Sequence, residues 1–299
     1  MNDLLSLGPW PKGIVQTISA GYRPADGLDD AVNVAIDPLG AVVSARLPGT
    51  VAIPGLNIYS MWEHDGTVYG SSSGGVFTLR NGTLTTHTID MGTATFTAVG
   101  SKVVAAVKDS VFYVSPDGVE LLVSARIDED VDAPIADLPG GQCIQYWNGR
   151  LVVARGSKVL FSEPFRYGTH DPLTGYIDMD SYVEWIAALP TGLFVAMEGR
   201  IVFLGGRGPQ DLTVKECGSS PWLGPQAFVV LDGSEFDESV SKDAEGVVAF
   251  LTRRGFAVGT PDGAISTPQA KNILDIGVGR CSVSYDSGFL YANLLEHQP

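Results

Sequence analysis

Residues 147–163 read WNGRLVVARGSKVLFSE: a glycine, an apolar run, a short polar turn and a second apolar run. The same phrase recurs at 62–79 (WEHDGTVYGSSSGGVFTL), 99–114 (VGSKVVAAVKDSVFYV), 189–206 (LPTGLFVAMEGRIVFLGG), 243–260 (DAEGVVAFLTRRGFAVGT) and 285–295 (YDSGFLYANLL). Within 151–154 all four residues are apolar, which is typical of strands covered on both faces. The chain is therefore predicted to consist of repeated two-strand units that pack against one another.

The spacing of the repeats predicts the architecture. The anchor glycines Gly66, Gly100, Gly149, Gly192, Gly246 and Gly288 are separated by 34, 49, 43, 54 and 42 residues. Periods of about 40 to 50 residues are typical of the four-stranded blades of a β-propeller. We expect an all-β propeller of about six blades, or seven if the first hairpin counts separately; a β-sandwich, which lacks such a period, is the alternative.

The N-terminal part does not fit the repeat. Residues 1–30, rich in proline near Trp10, are predicted to form an extended arm or connector. Its apolar residues Trp10, Ile14 and Ile18 are expected to dock either on their own propeller or on a neighbouring subunit. Residues 31–299 are predicted to form the propeller, in which a first hairpin near 32–45 pairs with the last repeat and closes the ring.

Composition limits the classes of function. With 34 acidic and 19 basic residues the formal charge is −15, which disfavours tight binding to a phosphate backbone. Cys143, Cys217 and Cys281 lie in or beside apolar sequence and are expected to be buried thiols. Neither a secretory signal nor a run of about 18 apolar residues is visible, so no membrane span is expected.

Motifs for catalysis or metal binding are incomplete, and we predict no catalytic, cofactor-binding or metal-binding residues. Asp128, Asp130 and Asp132 have the opening spacing of a calcium loop, but the glycine and the glutamate that complete such a loop are missing. Asp178, Asp180 and Glu184 could share one face of an extended segment like the carboxylate pair of a glycosidase, without an accompanying His or Arg cluster. Acidic surface loops are the simpler interpretation of both groups.

Aromatic residues and inserted segments provide candidates for packing and for contact. Trp62, Tyr146, Trp147, Tyr182 and Trp185 lie at similar places in the repeats and are expected to pack between blades. Longer insertions are predicted at 124–140, 164–181 and 215–225, where contacts with partners usually lie. The contact candidates in these insertions are Asp128, Asp130, Asp132, Arg166, Tyr167 and Trp222.

Several phrases together resemble the β-propeller tail proteins of tailed bacteriophages, related to the nozzle or hub of short-tailed phages. They are 8–14 (GPWPKGI), 30–34 (DAVNV) with Arg46-x-Pro48-Gly49, 148–151 (NGRL), 159–164 (VLFSEP), 171–175 (DPLTG), 254–256 (RGF) and 259–263 (GTPDG). Where the family usually has Asn-Asn after the opening Gly-Ile, this chain has Val15-Gln16, and it is shorter than the best-known nozzles.

The resemblance implies a structural virion protein without enzymatic activity, assembled in the host bacterial cytoplasm. It implies a homo-oligomeric ring, for which a hexamer is the first stoichiometry to test, in contact with adaptor, fibre or tip proteins. DNA would pass through the ring without tight binding, which agrees with the acidic composition. A tail-tip propeller that binds a receptor or glycan is the alternative, followed by a carbohydrate-active enzyme.

Overall fold

In the computed structural model the chain is all-β. The described residues are 34–36, 42–44, 57–88, 92–124, 135–218, 220–231, 246–267, 279–286 and 289–295. They contain 26 strands and no helix. Accordingly, no helix in these ranges could cross a membrane.

The strands form five blades and two hairpins. Blade 1 contains β3 (Ile58–His64), β4 (Thr67–Ser72), β5 (Gly75–Arg80) and β6 (Thr83–His87), and blade 2 contains β7 (Thr95–Val99), β8 (Lys102–Ala106), β9 (Val111–Ser115) and β10 (Gly118–Leu121). Blade 3 contains β11 (Ala136–Asp137), β12 (Cys143–Trp147), β13 (Arg150–Arg155), β14 (Lys158–Glu163), β15 (Arg166–His170) and β16 (Tyr176–Asp178).

Blade 4 contains β17 (Val183–Leu189), β18 (Gly192–Met197), β19 (Arg200–Gly205) and β20 (Thr213–Glu216), and blade 5 contains β21 (Phe228–Leu231), β22 (Val247–Thr252), β23 (Gly255–Gly259) and β24 (Ile265–Ser266). The separate hairpins are β1 (Val34–Ile36) with β2 (Val42–Ser44), and β25 (Arg280–Asp286) with β26 (Phe289–Leu295). Every pairing between these strands is antiparallel, as in a meander.

Tight turns connect the strands within a blade. Asp65-Gly66 and Asn148-Gly149 each have two successive positive φ angles, 49° and 69° in the first and 45° and 79° in the second. Two-residue turns of this kind match the twist of a hairpin. Gly192 is an anchor glycine with a different role, because a Cβ there would lie 2.4 Å from the carbonyl oxygen of Leu204. Its hydrogen side chain allows two strands of blade 4 to approach closely.

The blades are arranged radially through their first strands. β7 contacts β3 and β12, β17 contacts β12 and β21, and β21 contacts β25. Each sheet therefore packs face to face on the next, as the two-sided apolar pattern predicted. The described residues form five blades where six or seven were predicted, because the last repeat, 285–295, lies in a two-stranded hairpin whose pairing with the first hairpin into one further blade is not seen in the described residues.

The core lies between adjacent blades. Trp147 of blade 3 is buried and donates its indole N–H to the carbonyl of Leu189 in blade 4 at 2.9 Å. Trp185 of blade 4 is also buried and donates to the carbonyl of Trp222, before blade 5, at 3.3 Å. The prediction that aromatic residues pack between blades is confirmed for these two tryptophans. It is wrong for Tyr182 and for Tyr146, which are 52% and 37% exposed.

One predicted insertion is part of a sheet. Residues 164–181 contain β15 and β16, which both pair with β14 and extend blade 3 outwards. β16 pairs with Lys158–Leu160 of β14 and β15 pairs with Ser162 and Glu163, with a register shift between these last two residues. The sequence pattern missed these strands because β15 is polar and exposed at its start and β16 has only three residues.

Other predictions lie outside the described residues or stay predictions. The arm at 1–30, with Trp10, Ile14 and Ile18, and the acidic loop with Asp128, Asp130 and Asp132 are outside the described ranges. The described strands form two separate hairpins at 34–44 and 280–295. Closure of the ring by pairing of these hairpins stays a prediction, as does the domain boundary at residue 31.

Candidate contact surface on blade 3

The contact surface that we assign to blade 3 lies at one end of its sheet, where two turns meet. The turn from β12 to β13 contains Gly149, and the turn from β14 to β15 contains Phe165. The amide N–H of Phe165 donates to the carbonyl of Gly149 at 2.7 Å. This end of the blade carries Phe165, Arg166, Tyr167 and Tyr146, which we call the blade 3 contact surface.

Phe165 is the most prominent residue of this surface. Its side chain is 76% exposed, and its φ is +58°, a value that bulky side chains rarely adopt. Holding a non-glycine residue in that region costs about 1–3 kcal/mol. The ring lies close over Gly149, where an added Cβ would be 2.9 Å from the ring. The strained turn thus holds an aromatic ring in solvent, where it can contact another molecule.

The predicted candidates Arg166 and Tyr167 belong to the same surface. Arg166 is exposed and forms no ion pair within the described ranges. Tyr167 is half-buried, and its ring meets that of Tyr146 edge to face, with centroids 6.2 Å apart. Burial, followed by the neighbouring Tyr146, raises the pKa of the Tyr167 hydroxyl, which therefore stays protonated at neutral pH. Aromatic rings beside an arginine are the composition typical of contact hot spots.

The third described candidate, Trp222, lies in the core. It is 6% exposed and packs in the cluster that contains Trp185 and Phe250. Its indole nitrogen has no hydrogen-bond partner among the described residues. The apolar surroundings indicate that Trp222 contributes to packing; a role in contact with a partner stays a prediction.

The three carboxylates that imitate a glycosidase pair are each bound to a different cation. Asp178 forms an ion pair with Lys158, with Oδ1 and Nζ 2.8 Å apart, and Asp180 forms one with Arg200. The Glu184 carboxylate lies 3.7 Å from the Arg280 guanidinium. This arrangement favours a structural role for these residues.

The thiols are unpaired and mostly buried. Cys143 and Cys281 are buried and Cys217 is half-buried, which confirms the prediction for the first two. Burial raises the pKa of Cys143 and of Cys281 from 9.0 to about 12, so neither is a nucleophile near neutral pH. In the described part of the chain no group of three His, Cys, Asp or Glu side chains could hold a metal ion.

Comparisons with known proteins bear on the fold and not on the function. No family model and no curated protein matches the chain. The N-terminal domain of Nup159 has a TM-score of 0.50 at 11% identity, over 85% of this chain and 77% of that one. The extracellular domain of BT4673 from B. thetaiotaomicron has a TM-score of 0.49 at 12% identity, over 79% of this chain. PorZ of Porphyromonas gingivalis has a TM-score of 0.44 at 11% identity, over 78% of this chain.

The chain spans about a third of the length of the last two proteins, 31% and 29%. At these identities the similarity concerns architecture and not activity. The described residues form an all-β propeller with five blades.

Proposed function

We propose that this protein is a structural subunit of a bacteriophage tail, in a nozzle- or hub-like ring through which DNA leaves the particle. The proposal is supported most directly by the phrases typical of phage tail propellers, which extend from 8–14 to 259–263. In this role each propeller is a rigid block, and its surface turns contact the subunits beside it and the adaptor, fibre or tip proteins around it.

The packing of the blades supports a rigid, non-catalytic part. β18 of blade 4 is buried along its whole length, and β17 and β19 are buried at most positions. Interiors packed in this way transmit force with little deformation. Ion pairing of Asp178, Asp180 and Glu184 agrees with the same role, because each carboxylate is held by a different cation of the chain.

The charge of the chain supports passage of DNA. A net charge of −15 repels a polyanion, so a duplex inside such a ring would not be retained by electrostatic contacts. We therefore expect no saturable binding of duplex DNA by the purified protein at physiological salt.

Ring assembly can be tested on the purified protein. The full chain is purified and its mass is measured by light scattering and by native mass spectrometry, followed by electron microscopy of the particles. We expect a closed ring with a central opening. A protein that stays monomeric at about 100 μM, well above the concentrations at which stable interfaces form, would contradict the ring.

A matched pair of variants separates the surface from general solubility effects. Phe165→Asn removes the exposed ring, and asparagine tolerates a positive φ. Leu173→Asn is the control, because Leu173 is also exposed, at 68%, but lies in the turn between β15 and β16. The proposed surface predicts weaker ring assembly for Phe165→Asn and unchanged assembly for Leu173→Asn. A separate test of the tail assignment is antibody labelling of intact phage particles, for which we expect labelling of the tail. Labelling of the capsid, or of no particle, would contradict the tail assignment.

A further inference from the structure

A cleft between blade 1 and blade 2 has a volume typical of a ligand site. Its volume is about 580 Å³, within the range of about 300–1,000 Å³ typical of small-molecule sites. The lining comes from the turns at Asp65, Ser101 and Asp117 and from the strands next to them. These turns join β3 to β4, β7 to β8 and β9 to β10.

Two cations line the cleft from different blades. Arg80 lies at the end of β5 in blade 1, and Lys102 lies at the start of β8 in blade 2. Neither forms an ion pair within the described ranges, whereas Arg155, Lys158, Arg200 and Arg280 all pair with carboxylates. Two cations without a carboxylate partner on one cleft are available for the anionic group of a ligand.

Hydrogen-bond acceptors line the same cleft. Asp117 and Glu120, on the turn from β9 to β10 and on β10, contribute carboxylates that do not pair with Arg80 or Lys102 in the described structure. The third carboxylate of the lining, that of Asp65, has a neighbour within the chain, because its Oδ2 lies 3.5 Å from Nε2 of His64. Free carboxylates accept hydrogen bonds from hydroxyl groups. A ligand suited to this lining has both a negative charge and several hydroxyl donors.

Two tyrosines complete the lining. Tyr69 in blade 1 is buried and Tyr113 in blade 2 is half-buried, with Nζ of Lys102 4.6 Å from the Tyr113 ring centre. Burial raises the pKa of both hydroxyls, and Arg80 lowers that of Tyr69 by a smaller amount. Both hydroxyls are therefore protonated at neutral pH and can donate to a ligand oxygen. Rings with polar tips beside cations and carboxylates favour a polar, hydroxylated ligand.

We propose that this cleft binds an acidic saccharide, with the sugar carboxylate held by Arg80 and Lys102 and the sugar hydroxyls held by Asp117 and Glu120. The inference goes beyond the structural role proposed above and does not depend on it. A propeller in a tail could use such a site to contact an acidic surface polysaccharide, and the same site would accept a free sugar acid.

The test is calorimetric titration of the full chain with trimers of galacturonic acid, glucuronic acid and sialic acid. Each trimer is paired with its fully methyl-esterified form, which has the same size and no charge. We expect saturable binding of at least one acid trimer and a loss of about tenfold or more for its ester, as for a lost charge-assisted contact. Titration with the matching monomer and polymer distinguishes a free sugar from a polysaccharide as the source.

Matched variants locate the site. R80Q/K102Q removes the two cations, and K108Q/R207Q removes the same charge from exposed positions that do not line the cleft. The proposal predicts a loss of about tenfold or more for the first variant and a change within about twofold for the second. The thermal midpoint of each variant shows whether the fold is intact, and the ester comparison needs no variant. Absence of saturable binding by all three trimers, equal binding of acid and ester, or equal loss in both variants would overturn the proposal.

Discussion

Blade 4 and blade 1 have the same strand order but differ in how they are covered. In β17, the first strand of blade 4, five of seven residues are buried and none is exposed. In β3, the first strand of blade 1, four of seven residues are exposed, including Ile58, Tyr59 and Met61. The exposed residues of β3 include three large apolar side chains, so the polarity of the strand alone does not account for the difference.

The neighbours of the two blades account for it. Blade 4 packs between blades 3 and 5, so both of its faces are covered. Blade 1 packs on blade 2 on one side, and on the other side one described contact is the hydrogen bond from Nε2 of Gln226, before blade 5, to the carbonyl of Met61 at 2.7 Å. A propeller blade therefore gains its burial from the two blades beside it.

The largest difference is expected for a buried tryptophan. Trp185→Ala in blade 4 should lower the free energy of unfolding by about 3–5 kcal/mol, because the side chain is fully buried against Phe228 and Phe250. Trp62→Ala in blade 1 should cost less than half as much, since Trp62 is only half-buried. Urea unfolding followed by circular dichroism measures both; equal losses would show that blade 1 is covered as well as blade 4.

A smaller difference is expected for glycine. Gly192→Ala places a Cβ 2.4 Å from the Leu204 carbonyl oxygen, so the strands of blade 4 must separate, at a cost of about 1–3 kcal/mol. Gly74→Ala in a turn of blade 1 meets no heavy atom closer than 3.8 Å and should change stability by less than about 0.5 kcal/mol. The thermal midpoints of the two variants give the comparison, and an unchanged midpoint for Gly192→Ala would contradict the close approach of β18 and β19.

The junction between blades 3 and 4 should also respond to pH. The thiol of Cys143 donates to the carbonyl of Ile186 at 3.6 Å, and burial raises its pKa in the folded state to about 12. Because that pKa is above its ordinary value of 9.0, the thiol contributes its full stability below pH 9.0 and loses it as the pH rises towards 12. The steepest loss is about 1.4 kcal/mol per pH unit.

Cys143→Ala supplies the control for this pH dependence. The stability difference between wild type and variant should decrease from pH 8 to pH 10, roughly the onset of thiol ionisation in an unfolded chain. In blade 1, Met61→Cys places a thiol at a position that is 54% exposed, and it should react with a thiol reagent far faster than Cys143. Slow labelling of the Met61→Cys thiol would show that β3 is covered, as the predicted ring closure requires.

The smallest effect is expected at the surface of blade 4. Glu216 lies 3.5 Å from Arg200, and its side chain is 76% exposed. Solvent screens such a pair, so Glu216→Gln should change the free energy of unfolding by less than about 0.5 kcal/mol. Urea unfolding at low and at high salt measures it, and a change near that of Gly192→Ala would mean that the pair is shielded from solvent.

Part of the candidate contact surface could be predicted from sequence, and part could not. Arg166 and Tyr167 were predicted because they lie in the insertion expected at 164–181. Phe165 was missed because no local pattern indicates that a phenylalanine has a positive φ. The cleft was missed because Arg80 and Lys102 belong to different blades, although each lies next to a two-residue turn, which was the available signal.

The sequence by itself determined the all-β class, the hairpin turns and the two-sided burial, because glycine spacing and apolar runs act over a few residues. Only the tertiary structure decided the number of complete blades, the assignment of 166–178 to the outer strands of blade 3, and the meeting of Arg80 with Lys102 at one cleft. These features depend on which sheets lie side by side, and that packing joins residues distant in the chain.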